Sequence, residues 1–428
     1  MSLLPVNKKV RLQPRNTECV VEQLLGSGGQ GEVYQVRVGR EKKALKWYYP
    51  QLATQRQRES LEQLVKMGQP SKEFLWPQEV VTSSGAAGFG YIMPLREQRF
   101  KGIVDMLAGR AHPSFQTLCT VCRQLSDCYL KLHTKGLCYA DINFNNVFFD
   151  PDTGEILICD NDNVIVNGQD PIGVIGTPRF MAPEIVRGEA KPSADTDKYS
   201  LAVLLFYLMF VHHPLEGKQE ANIHCLDTNA MNLLYGTNPV FIYDPNNASN
   251  RPVPGYHDNA ITYWRLYPTF LKNLFVRAFT DGLHPNKRVA ETEWRRAFVQ
   301  LADSIVYCPK CGRENFYDEE QRSVPDCWKC KAQVKVPYLL RLPQPTVLRH
   351  DTRLYLYHVK VIPTYDFHQP VAKVSIHADG RWGLTNLGTE QWTATTADGR
   401  IVVVAPGKTI GLHKGLRIHF GEKTGEID

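Results

Sequence analysis

Several short groups of residues in this chain have types and spacings suited to gripping a polyphosphate, holding a hard cation and moving a proton. Gly26-Ser27-Gly28-Gly29-Gln30-Gly31 lies between two β-patterned stretches, Val20 to Leu25 and Val33 to Val38. Bare glycine backbone can approach phosphate oxygens and offer them its amides. A dinucleotide-binding fold would follow such a turn with a helix, so the strand that follows here selects a different phosphate grip. Lys46, in Ala44-Leu45-Lys46, sits on a third strand spanning Lys43 to Tyr49. Asp141 and Asn146 follow, and Asp160 comes fourteen residues after Asn146, behind the strand Ile156 to Cys159. Their carboxylate and amide oxygens are the donors that Mg²⁺ prefers. Near the other end, Cys308-Pro309-Lys310-Cys311 and Cys327-Trp328-Lys329-Cys330 form two knuckles with fifteen residues between them. That spacing fits a four-thiolate zinc site with no open position, in which Zn²⁺ is structural and supplies the stability that so small a module lacks.

Taken in this order, and continued by Ala182-Pro183-Glu184 and Asp197, the groups resemble the eukaryotic-like Ser/Thr protein kinases over about residues 18 to 300. The resemblance implies a bilobal α+β fold that uses ATP and Mg²⁺ to phosphorylate a protein substrate. It assigns Asp141 as the base that accepts the substrate hydroxyl proton, Lys46 to the α- and β-phosphates, and Asn146 and Asp160 to Mg²⁺. Gly26, Gly28 and Gly31 cover the phosphates. Leu25, Val33, Ala44, Met93 and Leu95 complete the set expected around the nucleotide, with Val33 over the adenine. The family's lysine pairs with a glutamate on the next helix. Glu62 borders the apolar stripe of Leu61, Leu64 and Val65 and is expected to point inward, whereas Glu59 lies nearer the wet face. Glu184 is expected to pair with Arg288, and Asp197 to tie down the backbone of the catalytic loop.

Two signature blocks depart from the family pattern. Asp-Phe-Gly is replaced by Asp160-Asn161-Asp162, which interrupts an apolar stack, and Tyr139 replaces the histidine of that stack. Asn143 replaces the lysine that neutralises the phosphate in transfer; losing one such donor lowers a rate by roughly 10²- to 10³-fold. The alternative function is therefore a nucleotide-binding pseudokinase scaffold. Ala140 stands where kinases switched on by activation-loop phosphorylation carry an arginine, and no Ser, Thr or Tyr lies between Asp160 and Gly176. Control by that switch is not expected. The Asp-Asn-Asp variant joined to a zinc ribbon resembles a bacterial subgroup associated with tellurite-resistance and stress clusters. That resemblance implies a metal-dependent protein phosphatase and a von Willebrand A-type protein as partners.

The elements that must position these groups follow from patterning. A small β lobe is expected over 18–95 and a helical lobe over 96–304, together the kinase domain, 18–304. Leu118, Val121, Cys122, Leu125 and Tyr129 share one helix face, and Lys198 to Phe210 is apolar almost all round, as in a buried helix. Cys119 and Cys122 read as core residues. Residues 227–259 read as an insert, 305–334 as the zinc ribbon and Pro337 to Pro345 as a linker. Alternation with turns at Asp379-Gly380, Asp398-Gly399 and Pro406-Gly407 gives an all-β domain over 346–428, a β-sandwich with a weak resemblance to forkhead-associated domains in Gly380 to Gly388 and Gly415 to Gly421. His368, His377 and His413 show no ligand spacing.

The 428 residues, 43% hydrophobic and 22% charged, are ample for globular cores. A net charge of +6 spread over this length does not argue for nucleic acid; only Arg341, Arg349 and Lys331 to Lys335 hint at a basic face. The longest apolar run, Leu201 to Val211, is too short to span a membrane, and no secretory signal is visible. Eleven cysteines, four of them in metal-type pairs, fit a reducing cytoplasm.

Overall fold

The sequence Lys9-Val10-Arg11-Leu12-Gln13 alternates polar and apolar, and in the computed structural model it forms a first strand, β1 (Lys9–Gln13), with Val10 and Leu12 fully inside. The structure describes residues 2–171, 176–377 and 379–428. Strands β2 (Thr17–Ser27), β3 (Gly31–Val38), β4 (Glu41–Tyr48), β5 (Glu79–Thr82) and β6 (Gly90–Pro94) follow, in the spatial order β1-β2-β3-β4-β6-β5. Because β1 pairs with both β2 and β5, the sheet closes into a barrel. Val10, Leu12, Val21, Tyr34, Val36, Leu45, Trp47 and Ile92 fill it. The lobe thus begins well before residue 18, where the sequence pattern placed it. Closure leaves no sheet edge exposed.

Helix α1 (Gln55–Met67) is opened by Thr54, whose side chain accepts from the Gln57 amide at 3.1 Å, and closed by Gly68 at φ 70°. It buries Leu61 and Leu64. In the helical lobe, Phe115–Thr134 buries the expected stripe, including Cys119 and Cys122. Ala194–Phe210 is buried from Tyr199 to Phe210. Ser193 and Thr196 cap it reciprocally, which sets Asp197 in its first turn. The catalytic-loop residues lie between the short strands Leu137–Cys138 and Val147–Phe149, paired respectively with Ile165–Val166 and Ile156–Ile158.

The chain divides into two compact units, Met1–Ile261 with Leu274–Arg295, and Thr262–Asn273 with Arg296–Asp428. The division falls inside the helix Glu291–Asp303 rather than after residue 304. In the second unit, Ile305–Tyr307 pairs with Glu314–Phe316 and leads into the first cysteine knuckle. Beyond the second knuckle the segment expected to be a linker is a sheet strand: Leu339–Arg341 pairs with Thr346–Val347 on one side and with Thr424–Ile427 on the other. Leu339 and Leu340 are buried, so the prolines flank a strand instead of marking a tether. A six-stranded and a four-stranded antiparallel sheet follow. Leu340, Leu348, Ala372, Leu384, Trp392, Ala394, Leu416, Ile418 and Ile427 share one core. Gly380, Gly399 and Gly407 sit at positive φ at the expected turns. Among the described residues, no helix is long and apolar enough to cross a membrane.

Candidate active site

The glycine loop is the β2–β3 hairpin, closed by the Gly28 amide donating to the Gly31 carbonyl at 2.9 Å. Two kinds of glycine occupy it. A Cβ on Gly31 would stand 2.1 Å from the Trp47 carbonyl oxygen, so strand packing forbids a side chain there. At Gly26, Gly28 and Gly29 a Cβ would meet nothing within 4 Å. Packing does not require those three, and they leave bare, exposed backbone of the kind a polyphosphate can approach.

Lys46 points inward from β4 and is 4% exposed. Its Nζ lies 2.9 Å from the Asp162 carboxylate and 3.4 Å from Asp160 Oδ1, and donates to Gln30 Oε1 at 2.7 Å. Asp162 also accepts from Tyr48 Oη at 2.6 Å and Tyr91 Oη at 2.9 Å. Gln30 reaches on from the glycine loop to Asn163 Oδ1 at 3.0 Å. The expected partner, Glu62, is not there. Its side chain is 53% exposed and pairs with Arg58 at 2.9 Å, while Glu59 accepts from Gln55 in solvent. The inward stripe of α1 is Gln57, Leu61 and Leu64; one residue past Leu61, Glu62 is rotated about 100° out of it. Burial alone would depress Lys46; the Asp162 and Asp160 carboxylates outweigh it and hold the ammonium above its ordinary value. Burial would likewise raise Asp162, but Lys46 and the two tyrosine hydroxyls hold it below the usual carboxylate range.

Val33, Ala44, Met93 and Leu95 gather at one apolar cluster, with Leu157 and Cys159 packed against it. Leu25 stands 45% exposed near the end of β2. Below them, Asp141 Oδ1 accepts from Thr177 Oγ1 at 2.8 Å, and Asn146 Nδ2 approaches Asp141 Oδ2 at 3.3 Å. The Asn146 carbonyl receives the Cys159 amide at 2.8 Å, which brings Asp160 beside it. Asp160 sits at φ 48°, and its carboxylate is 45% exposed. Lys46 thus meets Asp160, and Asn146 joins Asp141 by its side chain and the residue before Asp160 by its backbone. A part-exposed carboxylate and an asparagine on adjoining segments offer oxygen donors of the kind that fit Mg²⁺. Burial pushes Asp141 up, against the hydrogen bonds from Thr177, Asn143 and Asn146. Asn143 donates to the Asp141 carbonyl at 3.1 Å and to Thr177 at 3.3 Å, so it braces the loop.

Behind the loop, Asp197 accepts from the Tyr139 amide at 2.5 Å and the Ala140 amide at 3.1 Å, as expected of it. Ala140 is held at φ 67°, a left-handed conformation that non-glycine residues avoid. His133 lies between Asp197, at 3.1 Å, and Glu291. The stack expected to break at Asn161 is carried otherwise. Trp76, Phe74, Tyr129 and Tyr139 meet ring to ring at 6.2, 6.4 and 5.8 Å, and the Tyr139 hydroxyl donates to the Cys159 carbonyl. Buried Asn161 donates to the Ile158 carbonyl at 2.9 Å. Glu184 pairs with Arg288 at 2.5 Å. Arg179 donates to Glu216 at 2.9 Å, and Tyr235, from the 227–259 insert, donates to the same carboxylate at 2.6 Å, so the insert braces the turn that carries Arg179.

Sequence reasoning missed Asp162, Tyr48, Tyr91, Gln30, Thr177 and Leu157. The second aspartate of Asp160-Asn161-Asp162 was a visible signal, because a charge in place of glycine needs a partner. In the second unit, Cys308, Cys311, Cys327 and Cys330 place their sulfurs within 4.8 Å of one another. The Cys308–Cys330 and Cys311–Cys327 separations are 3.6 Å. A tetrahedral zinc with bonds of about 2.3 Å spaces its sulfurs by about 3.8 Å, so the donor set fits the metal.

Residues 19–254 match the family model described as protein kinase domain. The chain is similar to protein kinase C delta type of Mus musculus, 37% identical over 93 residues, which are 21% of this chain and 13% of that protein. It is also similar to CBL-interacting protein kinase 4 of Oryza sativa subsp. japonica, 30% identical over 214 residues, 47% of this chain and 46% of the relative. The chain thus spans less than half the length of these curated relatives. The family match covers more than half of the 428 residues and contains the whole cleft from the glycine loop to Glu184, so the chain belongs to the protein kinase family.

Proposed function

We propose that this chain is an ATP- and Mg²⁺-dependent protein serine/threonine kinase carrying a structural zinc ribbon and a β-rich docking domain. The observation that supports the reading is that Lys46 meets Asp160, while Asn146 meets Asp141 through its side chain and, through its backbone, Cys159 beside Asp160. Asp141 is positioned to accept the proton of a substrate hydroxyl as that oxygen bonds the terminal phosphorus and the bond to the β-phosphate oxygen breaks. Thr177 donates to Asp141 Oδ1 and Asn146 approaches Oδ2 at 3.3 Å, so the incoming hydroxyl would use a remaining lone pair of the carboxylate. Lys46 neutralises the phosphates and the glycine loop covers them. Asn146 and Asp160 would hold Mg²⁺, which supplies charge neutralisation at the phosphate oxygens.

Phosphate added to Thr177 would put negative charge against Asp141, which supports control by something other than activation-loop phosphorylation; a rate raised by phosphate there overturns that part. The cysteine set supports a structural Zn²⁺. The resemblance to the bacterial subgroup supports cytoplasmic partners, a metal-dependent phosphatase and a von Willebrand A-type protein. Arg341 is engaged by Glu319 at 2.7 Å and by Asp428 at 2.6 Å, and this disfavours a nucleic-acid face. The second reading, a nucleotide-binding scaffold without transfer, draws on Asn143, which supplies no charge where the family has lysine.

The deciding experiment is transfer of labelled terminal phosphate from ATP to protein Ser or Thr, with Asp141→Asn and Asp160→Ala as controls. Transfer lost in both variants supports the kinase. Tight nucleotide binding with no turnover by the parent protein supports the scaffold, and no nucleotide binding at all sinks both.

A further inference from the structure

The lysine that binds phosphates has to be held in place by something, and in this chain the holder is not on a helix. We propose that Asp162, rather than a carboxylate of α1, is the residue that positions Lys46, so that the lysine's ion pair belongs to the same turn that carries Asp160. This deepens the kinase reading and rests on it.

The strand pattern prepares the place. Lys46 and Tyr48 are two residues apart on β4 and so share a face. Tyr91 on β6 is paired in register directly opposite Lys46. These three side chains make a pocket with one ammonium and two hydroxyls, all donors. Asp162 fills it: its side chain is 1% exposed, with Lys46 at 2.9 Å, Tyr48 at 2.6 Å and Tyr91 at 2.9 Å. A buried carboxylate is tolerated only when paired and fully hydrogen-bonded, and here three donors satisfy it. The helix makes no such offer. Glu59 and Glu62 both lie in solvent, and the polar group that α1 turns inward is Gln57, whose Nε2 meets Tyr48 Oη at 3.2 Å. An outward shift of α1 therefore breaks no carboxylate contact of Lys46. The pair that other kinases lose when the helix swings is here tied to the metal-binding turn, and the position of α1 does not switch it.

The test compares Asp162→Asn with the double variant Glu59→Gln/Glu62→Gln in the full-length chain. Asp162→Asn is expected to lower kcat by about a hundredfold, the scale of one preorganised charged contact, with a smaller change in KM for ATP. The helix variant is expected to stay within about twofold of the parent, since it touches only exposed groups. Restoring the carboxylate from the helix separates positioning from mere structure: Gln57→Glu added to Asp162→Gly should recover at least about tenfold in kcat over Asp162→Gly alone, because residue 57 already faces this pocket. Parental kcat in Asp162→Asn, a loss of equal size in the helix variant, or no rescue would each overturn the proposal. Should the parent protein transfer no phosphate, the kinase reading fails by itself. The positioning role is then read by calorimetry with Mg-ADP, where an affinity at least about tenfold weaker in Asp162→Asn supports it and an unchanged affinity overturns it.

Discussion

The loop Tyr139 to Asn146 and the turn Asp160 to Asn163 face the same cleft and are held in opposite ways. The loop is fastened from behind, within its own lobe: Asp197 takes the Tyr139 and Ala140 amides, and His133 and Glu291 back Asp197 in turn. The turn is fastened from across the cleft, by Lys46, Tyr48, Tyr91 and Gln30 of the β lobe. One device sets Asp141, the proposed base, from within its own lobe. The other makes Lys46 and the turn that carries Asp160 a single object that spans the cleft. Nucleotide affinity and catalytic competence should therefore respond to different mutations.

The largest effect that tests this division is expected at Asp197. Asp197→Asn removes the charge that fixes Ala140 in its left-handed conformation and leaves buried His133 with one carboxylate. Breaking a buried ion pair of this kind costs about 3–5 kcal/mol, so a clear fall in Tm is expected. In the folded fraction, kcat falls about a hundredfold through the displaced Asp141, while Mg-ADP affinity stays within about twofold. Affinity falling in step with kcat would break the comparison, since the loop would then not be fastened independently.

A somewhat smaller effect is expected from pH. Burial would depress His133, but its hydrogen bonds to Asp197 and Glu291 raise it to about 9 from an ordinary 6.5. A folded-state value above the unfolded one means that the stabilisation is complete below about pH 6.5 and is lost as pH rises toward 9. The contribution is about 3 kcal/mol, at about 1.4 kcal/mol for each unit. Denaturant unfolding at pH 6 and pH 9 should show the loss in the parent protein, and His133→Gln should flatten it. An unchanged slope in the variant would place the pH dependence elsewhere.

How much of this was legible follows the same division. The contact of Asp197 was readable because its partner is backbone, and backbone is present whatever the sequence, whereas the Glu184–Arg288 pair, side chain to side chain across 104 residues, was readable only through the family resemblance. The partner of Lys46 was not, because any carboxylate that reaches the pocket suffices and the choice is made by three-dimensional packing. Helical periodicity placed Glu62 beside the apolar stripe but could not say that Gln57 is what α1 turns inward. Strand β1 was hidden by its length: five residues, set between Pro5 and Pro14, alternate too briefly to stand out until β2 and β5 pair with them. The strand Leu339–Arg341 was hidden by flanking prolines, which mark a strand's ends as readily as a tether. The gathering of the four cysteines was legible, since a four-thiolate site would fix their spacing directly.

The smallest expected effect lies at the tip of the glycine loop. Gln30 receives one Lys46 donor and passes its own amide to Asn163, so it bridges the two lobes beside the proposed phosphate site. A phosphate that takes the Lys46 ammonium displaces the Gln30 carbonyl oxygen. Removing the amide removes that competition, worth about one net hydrogen bond, or about 0.5–1.5 kcal/mol. Gln30→Ala is therefore expected to lower KM for ATP about two- to tenfold and leave kcat nearly unchanged, because Asp141 is held from the other side. A raised KM would mean that the amide follows the phosphates and binds them, and the cross-cleft fastening would then include the nucleotide itself. The lowered KM sharpens the contrast: of the two ways in which this cleft is held, only the one that crosses it contains a member that must let go for the nucleotide to enter.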